Sequence, residues 1–283
     1  MTHPGQLLKR ESLYAGKEMG QNFLCDPSTA RMLIDRTGIS ADSRVLEIGP
    51  GLGALTIPIA QKTRQVTVVE KDRRLAPVLK KELEDHGIDW VDILCQDIMK
   101  TDIQALAKDK KLVVISNLPY NISSQILFRL VQERGCIEKA FLMFQKELAD
   151  RILSPPGKKA YSRLSAVAQY AAQISFVANV SAAAFFPKPT VDSTVLGFYF
   201  IVPSTVSAAT ETLLFTVIKA AFSKRRKSLK NSLVGQDLGL HKNVIARALD
   251  KAEIVPERRA ETLTKNEFLS LTRSVQTILG EKI

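Results

Sequence analysis

Histidine and cysteine are scarce in this 283-residue chain, with three of each. His3, His86 and His241 lie far apart, so neither a histidine metal site nor a nucleophile–histidine triad has support, and no metal is expected. Cys25, Cys95 and Cys136 are odd in number and show no C-x-x-C spacing, which argues against a disulfide framework or a zinc ribbon. They read as reduced thiols of a cytosolic protein. Long apolar runs are missing as well. The most apolar stretch, "LSAVAQYAAQISFVANVSAAAFF", is interrupted by Gln169, Gln173 and Asn179 and is too polar to span a membrane. The first twenty residues mix charges of both signs around no apolar centre, unlike a secretory signal. Acidic residues are the minority: 29 Asp and Glu against 40 Lys and Arg leave +11. That excess suits a polyanionic partner, nucleic acid first and an anionic membrane surface second.

What is present is an alternation of short β-rich and helical runs, the pattern of a parallel sheet with crossover helices. The β-rich runs are "RVLEI" (44–48), "QVTVVE" (65–70), "VDILC" (91–95), "KLVVIS" (111–116) and "KAFLMFQ" (139–145), all short and apolar, as buried parallel strands are. Helical segments such as "RRLAPVLKKELEDHG" and "SSQILFRLVQERG" lie between them. The later runs "AAQISFVANV" and "STVLGFYFIV" read as a hairpin-like pair, so the sheet is expected to end with an antiparallel strand. Beyond "VPSTVSAAT" the pattern turns helical, in "ETLLFTVIKAAF", "KRRKSLKNSLV" and "TKNEFLSLTRSVQTIL", the last with Thr264 and Glu267 in capping-box spacing. These patterns predict an α/β domain over 1–203 and a small all-helical domain over 204–283.

"VLEIGPGLGALT" places Gly49, Gly51 and Gly53 between a strand and a helix start, where glycine lets the backbone turn sharply and approach a ligand. Glu70 ends the next strand, at the place where an acid holds ribose hydroxyls in a dinucleotide site, and Gly49, Gly51 and Ala54 satisfy a loose G-x-G-x-x-A. A nicotinamide cofactor and a purely structural turn are both open readings of that loop alone. Glu47 ahead of the glycines and Asp97 after the third strand tilt the reading to S-adenosylmethionine. In series, the glycine loop would lie beside the methionine part, Glu70 at the ribose and Asp97 at the adenine amino group.

"NLPYNIS" (117–123) follows the fourth strand at the same end of the sheet. An adenine amino group is a poor nucleophile, because its lone pair is delocalised into the ring. With the Asn117 side-chain oxygen and the Leu118 carbonyl accepting its two N–H bonds, the nitrogen is drawn towards a tetrahedral shape and its lone pair towards a sulfonium methyl. Pro119 would fix the loop and Tyr120 would stack on the base, which must be single-stranded or flipped out. This is positioning and electrostatic preorganisation, which needs no catalytic His, Cys or metal.

Over nearly its whole length the chain resembles the ribosomal RNA adenine N6-dimethyltransferases, and within them the bacterial small-subunit branch. The resemblance rests on "GQNFLCD" (20–26), "EIGPGLGALT", "NLPYNIS", "FFPKPTVDS" (185–193), "AFSKRRKSLKNSL" and "RRAETLT". It implies a Rossmann-like S-adenosylmethionine-dependent methyltransferase domain whose N-terminal arm, residues 1–25, carries a donor-binding motif. Asn22 and Leu24 would then join Gly49, Gly51, Glu70, Asp97 and Asn117 around the donor, with Phe185 facing Tyr120 across the target adenine. Phe186 stands where related members often carry a smaller or polar residue, so either ring is a candidate to stack. The implied product is N6,N6-dimethyladenosine at two adjacent adenines of a hairpin loop near the 3′ end of 16S rRNA, within small-subunit biogenesis in the cytoplasm.

Lys224, Arg225, Arg226, Lys227 and Lys230 are expected around one helix, with Leu229 and Leu233 as its i, i+4 apolar pair, to contact RNA phosphates. Lys158, Lys159 and Lys188 are candidates to extend that basic track. Two other readings stand beside the first: a resistance-type enzyme methylating one adenine of 23S rRNA, and an assembly checkpoint whose methylation is secondary. DNA adenine methylation would use the same chemistry. The protein is expected to work as a monomer.

Overall fold

The five apolar runs of the first 145 residues form five parallel strands, β1 (Arg44–Ile48), β2 (Val66–Glu70), β3 (Val91–Cys95), β4 (Leu112–Asn117) and β5 (Ile137–Gln145). The computed structural model describes residues 1–16, 20–224, 226–235 and 238–280. Two later strands, β6 (Ala172–Val180) and β7 (Ser193–Phe200), complete a seven-stranded sheet in the order β3-β2-β1-β4-β5-β7-β6. β7 runs antiparallel to both neighbours, so the expected mixed α/β sheet is present, with the hairpin partner inserted between β5 and β6. Gly197 allows that insertion: a Cβ there would lie 2.9 Å from Ser175 Oγ on β6 and 3.3 Å from the Phe141 ring on β5.

Strand burial follows position. β1 and β4 lie at the centre, with Val45, Leu46 and Val114 fully buried. β3 departs from the expectation of a buried strand. It is an edge, and its residues are half-buried or exposed because one side has no neighbour. Helices cover the strands as the apolar spacing requires. The helix Ser123–Gln132 buries Ile126, Leu127, Leu130 and Val131. The helix Pro27–Thr37 starts at Asp26, whose carboxylate accepts from the Ser28 and Thr29 N–H groups, and stops at left-handed Gly38. The strand order reverses between β1 and β4, which opens a crevice at the carboxyl ends of the strands.

The chain divides into two compact units, Met1–Ala149 with Ala172–Ile201 and Asp150–Ala171 with Val202–Ile283. The second unit contains helices Arg163–Ala171, Ala208–Ala221, Lys242–Lys251 and Lys265–Gly280. Asp150–Ala171, which the sequence division placed in the first domain, belongs here through its own contacts. Tyr170 donates its hydroxyl to Glu211 at 2.8 Å and sets its ring edge on Phe215, and Tyr161 packs on Phe222. Thr264 and Glu267 form the anticipated capping box, the Thr264 N–H donating to the Glu267 carboxylate at 2.8 Å and the Glu267 N–H to Thr264 Oγ1 at 3.2 Å. Among the described residues no helix is long and apolar enough to cross a membrane.

Candidate active site

A cavity of about 330 Å³, the size of a small-molecule site, opens at the carboxyl ends of β1, β2 and β4. Asn22, Leu24, Gly49, Gly51, Glu70 and Asp97 all line it. So do Asn117, Leu118, Pro119 and Tyr120. Residues from five separated stretches thus meet at one crevice, four of them at strand ends that the sheet holds in register.

Glycine is required in the loop after β1. Gly49 and Gly51 have φ of 65° and 57°, and a Cβ on Gly51 would strike the Phe23 ring at 2.9 Å. The Gly51 N–H donates to Glu70 Oε2 at 3.1 Å and the Asp72 N–H to Glu70 Oε1 at 2.8 Å. Burial pushes the Glu70 carboxyl above its ordinary value, and those two N–H groups pull against it. Glu47, on β1, is fully buried and its Oε2 has no hydrogen-bond partner among the described residues. Desolvation drives its carboxyl up to about 8, assisted by the negative charge of Glu70 and opposed by the Thr56 hydroxyl.

Asp97 caps a short 3-10 turn through the Met99 N–H, and its other oxygen takes the Lys71 ammonium at 2.9 Å. Hydrogen bonding to Lys71 holds its carboxyl below the ordinary range. Lys71 lines the same cavity and sits directly after Glu70.

Asn117 is the last residue of β4, and its Nδ2 donates to the Asn22 backbone carbonyl at 2.9 Å. A carbonyl can only accept, so the amide orientation is fixed and Oδ1 is the pole turned away from Asn22. The Leu118 side chain is buried, and the Pro119 carbonyl closes a turn by accepting from the Ile122 N–H at 3.2 Å. Tyr120 lies half-buried, its hydroxyl 2.7 Å from Ser193 Oγ at the start of β7. Burial raises the Tyr120 phenol above its usual value.

Two expectations need correction. Phe185 offers no exposed ring face and does not line the cavity. It is 3% exposed, paired in register with Leu24 and packed in the core with Leu24, Val180 and Val195. A ring next to a buried strand partner cannot present a face to a base. Phe186 is the exposed ring of the two, edge-on to His3 with centroids 5.5 Å apart. The "FFPKPTVDS" stretch reaches Tyr120 through Ser193 instead.

The basic run differs too. Lys224, Arg226 and Lys227 are exposed but precede the helix, which is confined to Leu229–Ser232, and Arg225 lies outside the described residues. The run is held by the backbone of a neighbouring loop, with the Leu229 N–H on Arg258 O at 2.8 Å and the Lys230 N–H on Pro256 O at 3.2 Å. Leu229 and Leu233 are buried as a pair. The Lys230 ammonium meets Glu257 at 2.6 Å.

Sequence reasoning missed Gln21, Asp72 and Ser193. The signal for Asp72 was the second acid of "EKD", and those for Gln21 and Ser193 were their places in "GQNFLCD" and "FFPKPTVDS". Among the described residues no cluster of three His, Cys, Asp or Glu side chains is arranged to hold a metal ion.

The sequence model of the ribosomal RNA adenine dimethylases matches residues 14–277. The ribosomal RNA small subunit methyltransferase A of Desulforapulum autotrophicum is 50% identical over 282 residues, all of this chain and 99% of the relative. That of Geobacillus thermodenitrificans is 38% identical over 96% of this chain and 95% of its own. Among solved structures, a dimethyladenosine transferase from Plasmodium falciparum aligns at a TM-score of 0.74 and 26% identity over 90% of this chain and 98% of its own. The 23S rRNA methyltransferase ErmE aligns at 0.65 and 25%, over 90% of this chain and 100% of its own. The match to the family runs through both units and through every motif that lines the cavity, and the chain belongs to the ribosomal RNA adenine dimethylases.

Proposed function

We propose that this protein dimethylates N6 of two adjacent adenosines in the 3′-terminal hairpin loop of 16S rRNA, acting in the cytoplasm on the small ribosomal subunit or its precursor. The observation that carries the reading is the Asn117 amide, anchored by Asn22 O so that its oxygen is the pole offered to a substrate N–H.

The cavity fits S-adenosylmethionine by its donors and acceptors. A Cβ built on Gly49 meets no atom within 4 Å, so the loop has open space beside it. The buried, unpartnered Glu47 Oε2 lies on the wall next to that loop. Glu70 would take the ribose hydroxyls, Asp97 the adenine amino group, and Asn22, Leu24 and the glycine loop the remainder. When bound, this donor supplies an electrophilic sulfonium methyl. Asn117 Oδ1 and the Leu118 carbonyl orient the target amino group by accepting its N–H bonds, Pro119 keeps their spacing, and Tyr120 supports the base by stacking. The second aromatic surface is Phe186 by exposure, in place of Phe185. Lys224, Arg225, Arg226, Lys227 and Lys230 would contact RNA phosphates, which makes binding salt-dependent.

The test is labelled methyl transfer from S-adenosylmethionine to small subunits from a strain lacking the modification, followed by nucleoside analysis, with Asn117→Ala in parallel. Dimethyladenosine formed by the unmodified protein alone is expected. Transfer only to protein-free 23S rRNA would overturn the substrate assignment, and equal transfer by Asn117→Ala would overturn the role of that amide.

A further inference from the structure

The donor motif at residues 20–24 reaches the cavity from outside the seven-stranded sheet, with Phe23 and Leu24 paired to Phe186 and Phe185 and residues 20–22 in no strand. Three lines of the structure converge on what holds it. Gln21 lines the cavity, and its side-chain amide spans two partners: Oε1 accepts from the Gly16 N–H at 2.7 Å and Nε2 donates to Asp72 Oδ2 at 3.0 Å. Asp72 is 3% exposed, with its carboxyl held down to about 2 chiefly by Arg74. The Asp72 N–H, in turn, donates to Glu70 Oε1.

Resting on the reading of this cavity as the donor site, we propose that the Gln21–Asp72 hydrogen bond is a positioning latch, coupling the N-terminal donor motif to the carboxylate that would take the ribose. Neither residue needs to touch the donor. Asp72 fixes Glu70 through its own backbone and Gln21 through its side chain, so one residue sets the spacing between the two walls.

The direction of this bond is dictated at both ends. The Gly16 N–H can only donate, so it must meet Gln21 Oε1, which leaves Nε2 for Asp72. At Asp72, Oδ1 accepts from the Arg74 backbone N–H at 3.1 Å and from Arg74 Nε at 2.9 Å, while Oδ2 accepts from Arg74 Nη2 at 2.7 Å as well as from Gln21 Nε2. Both oxygens therefore face donors only, and Asp72→Asn fails in either orientation, because its amino group meets the Arg74 guanidinium together with the Gln21 amino group or the Arg74 backbone N–H. A glutamate at Gln21 fails for the opposite reason, since it sets one carboxylate against another. Protonation of Gln21→Glu relieves that conflict. The acid then has an O–H to donate to Asp72 Oδ2 and a carbonyl oxygen to accept from the Gly16 N–H, while the Arg74–Asp72 contacts stay as they are.

This predicts a rescue. Measured at pH 8 by isothermal titration calorimetry with S-adenosylmethionine and S-adenosylhomocysteine, Gln21→Glu and Gln21→Met should each weaken binding about ten- to a hundredfold, as expected for a hydrogen bond to a charged group. The Gln21→Glu deficit relative to the unmodified protein should shrink to within about threefold as pH falls from about 8 to about 5, because the protonated acid restores the bond, whereas the Gln21→Met deficit should stay constant. Hydrogen exchange at the amides of residues 20–24, compared with the unmodified protein at the same pH, should rise in both variants at pH 8 and fall again at the lower pH in Gln21→Glu alone. Single variants that bind both ligands like the unmodified protein overturn the latch. A Gln21→Glu deficit that stays flat across this pH range also overturns it, since damage to packing has no reason to be relieved by one proton. Failure of the unmodified protein to bind either ligand would strike at the donor-site reading itself, a result distinct from both.

Discussion

Replacing Asn117 by aspartate tests the active-site geometry more sharply than removing it. Aspartate keeps the size and an acceptor for a substrate N–H, yet its ionised form has no donor for Asn22 O, 2.9 Å from Asn117 Nδ2. Removing the donor strands the Asn22 carbonyl, which costs about 1–3 kcal/mol in the productive orientation. At 1.36 kcal/mol per tenfold, single-turnover methyl transfer should slow by roughly 5- to 160-fold at pH 8. Protonation reverses the defect, because an aspartic acid has one O–H donor and one acceptor, like the amide. The ratio of variant to unmodified rate should therefore climb as pH falls from 8 towards 5.5. Rates would be followed by rapid quench with labelled donor at saturating enzyme and the same small-subunit substrate throughout. An Asn117→Asp rate equal to that of the unmodified protein at pH 8, or a ratio that stays flat across this range, would refute the argument that the Asn22 contact orients the acceptor.

Glu47 carries a stability signature: its folded-state carboxyl is raised to about 8, so the native state holds a proton that the unfolded chain releases, and stability falls as pH rises from the ordinary glutamate range to about 8. Glu47→Gln should match the unmodified protein near pH 4.5 and exceed its Tm at pH 8, read by calorimetry; equal Tm differences at both pH values would count against that burial. Tyr120→Phe and Ser193→Ala each delete the same 2.7 Å hydrogen bond and should each raise the KM for RNA through about 0.5–1.5 kcal/mol of lost ring positioning, with the double variant no worse than either single. Additive losses would show that the two hydroxyls act separately.

The strands were legible because the short apolar runs match strand length, although β3 is a half-buried edge, and the strand-end residues followed from the sheet, since parallel strands place their carboxyl ends together. Asn117, Glu70 and Asp97 were found that way. Phe185 was not, because adjacent phenylalanines in a two-residue strand point to opposite faces, and only the pairing with Phe23 and Leu24 decides which is buried. The basic run misled for a related reason. Its composition favours a helix, but backbone bonds from Leu229 and Lys230 to residues 256–258 hold the segment, and no local pattern announces a partner some thirty positions away. Asp72 was hidden because an acid two residues beyond a strand end reads as solvated loop until Gln21 and Arg74 are seen around it.

The scarcity of histidine and cysteine and the prominence of side-chain amides at the cavity are two aspects of one chemistry. Transfer to an exocyclic amine requires acceptors placed where N–H bonds will point, and a strong base would add little, since the proton is lost readily once the nitrogen is alkylated. An amide suits the task only when its two poles cannot exchange. Asn117 meets a backbone carbonyl and Gln21 meets a backbone N–H, so each side chain is oriented by a group whose polarity no side-chain rearrangement can change. The contacts that fix them come from Gly16 and Asn22, on the N-terminal segment that also carries the donor motif. One segment therefore supplies both the carbonyl that orients the acceptor for the target base and one wall of the donor cavity.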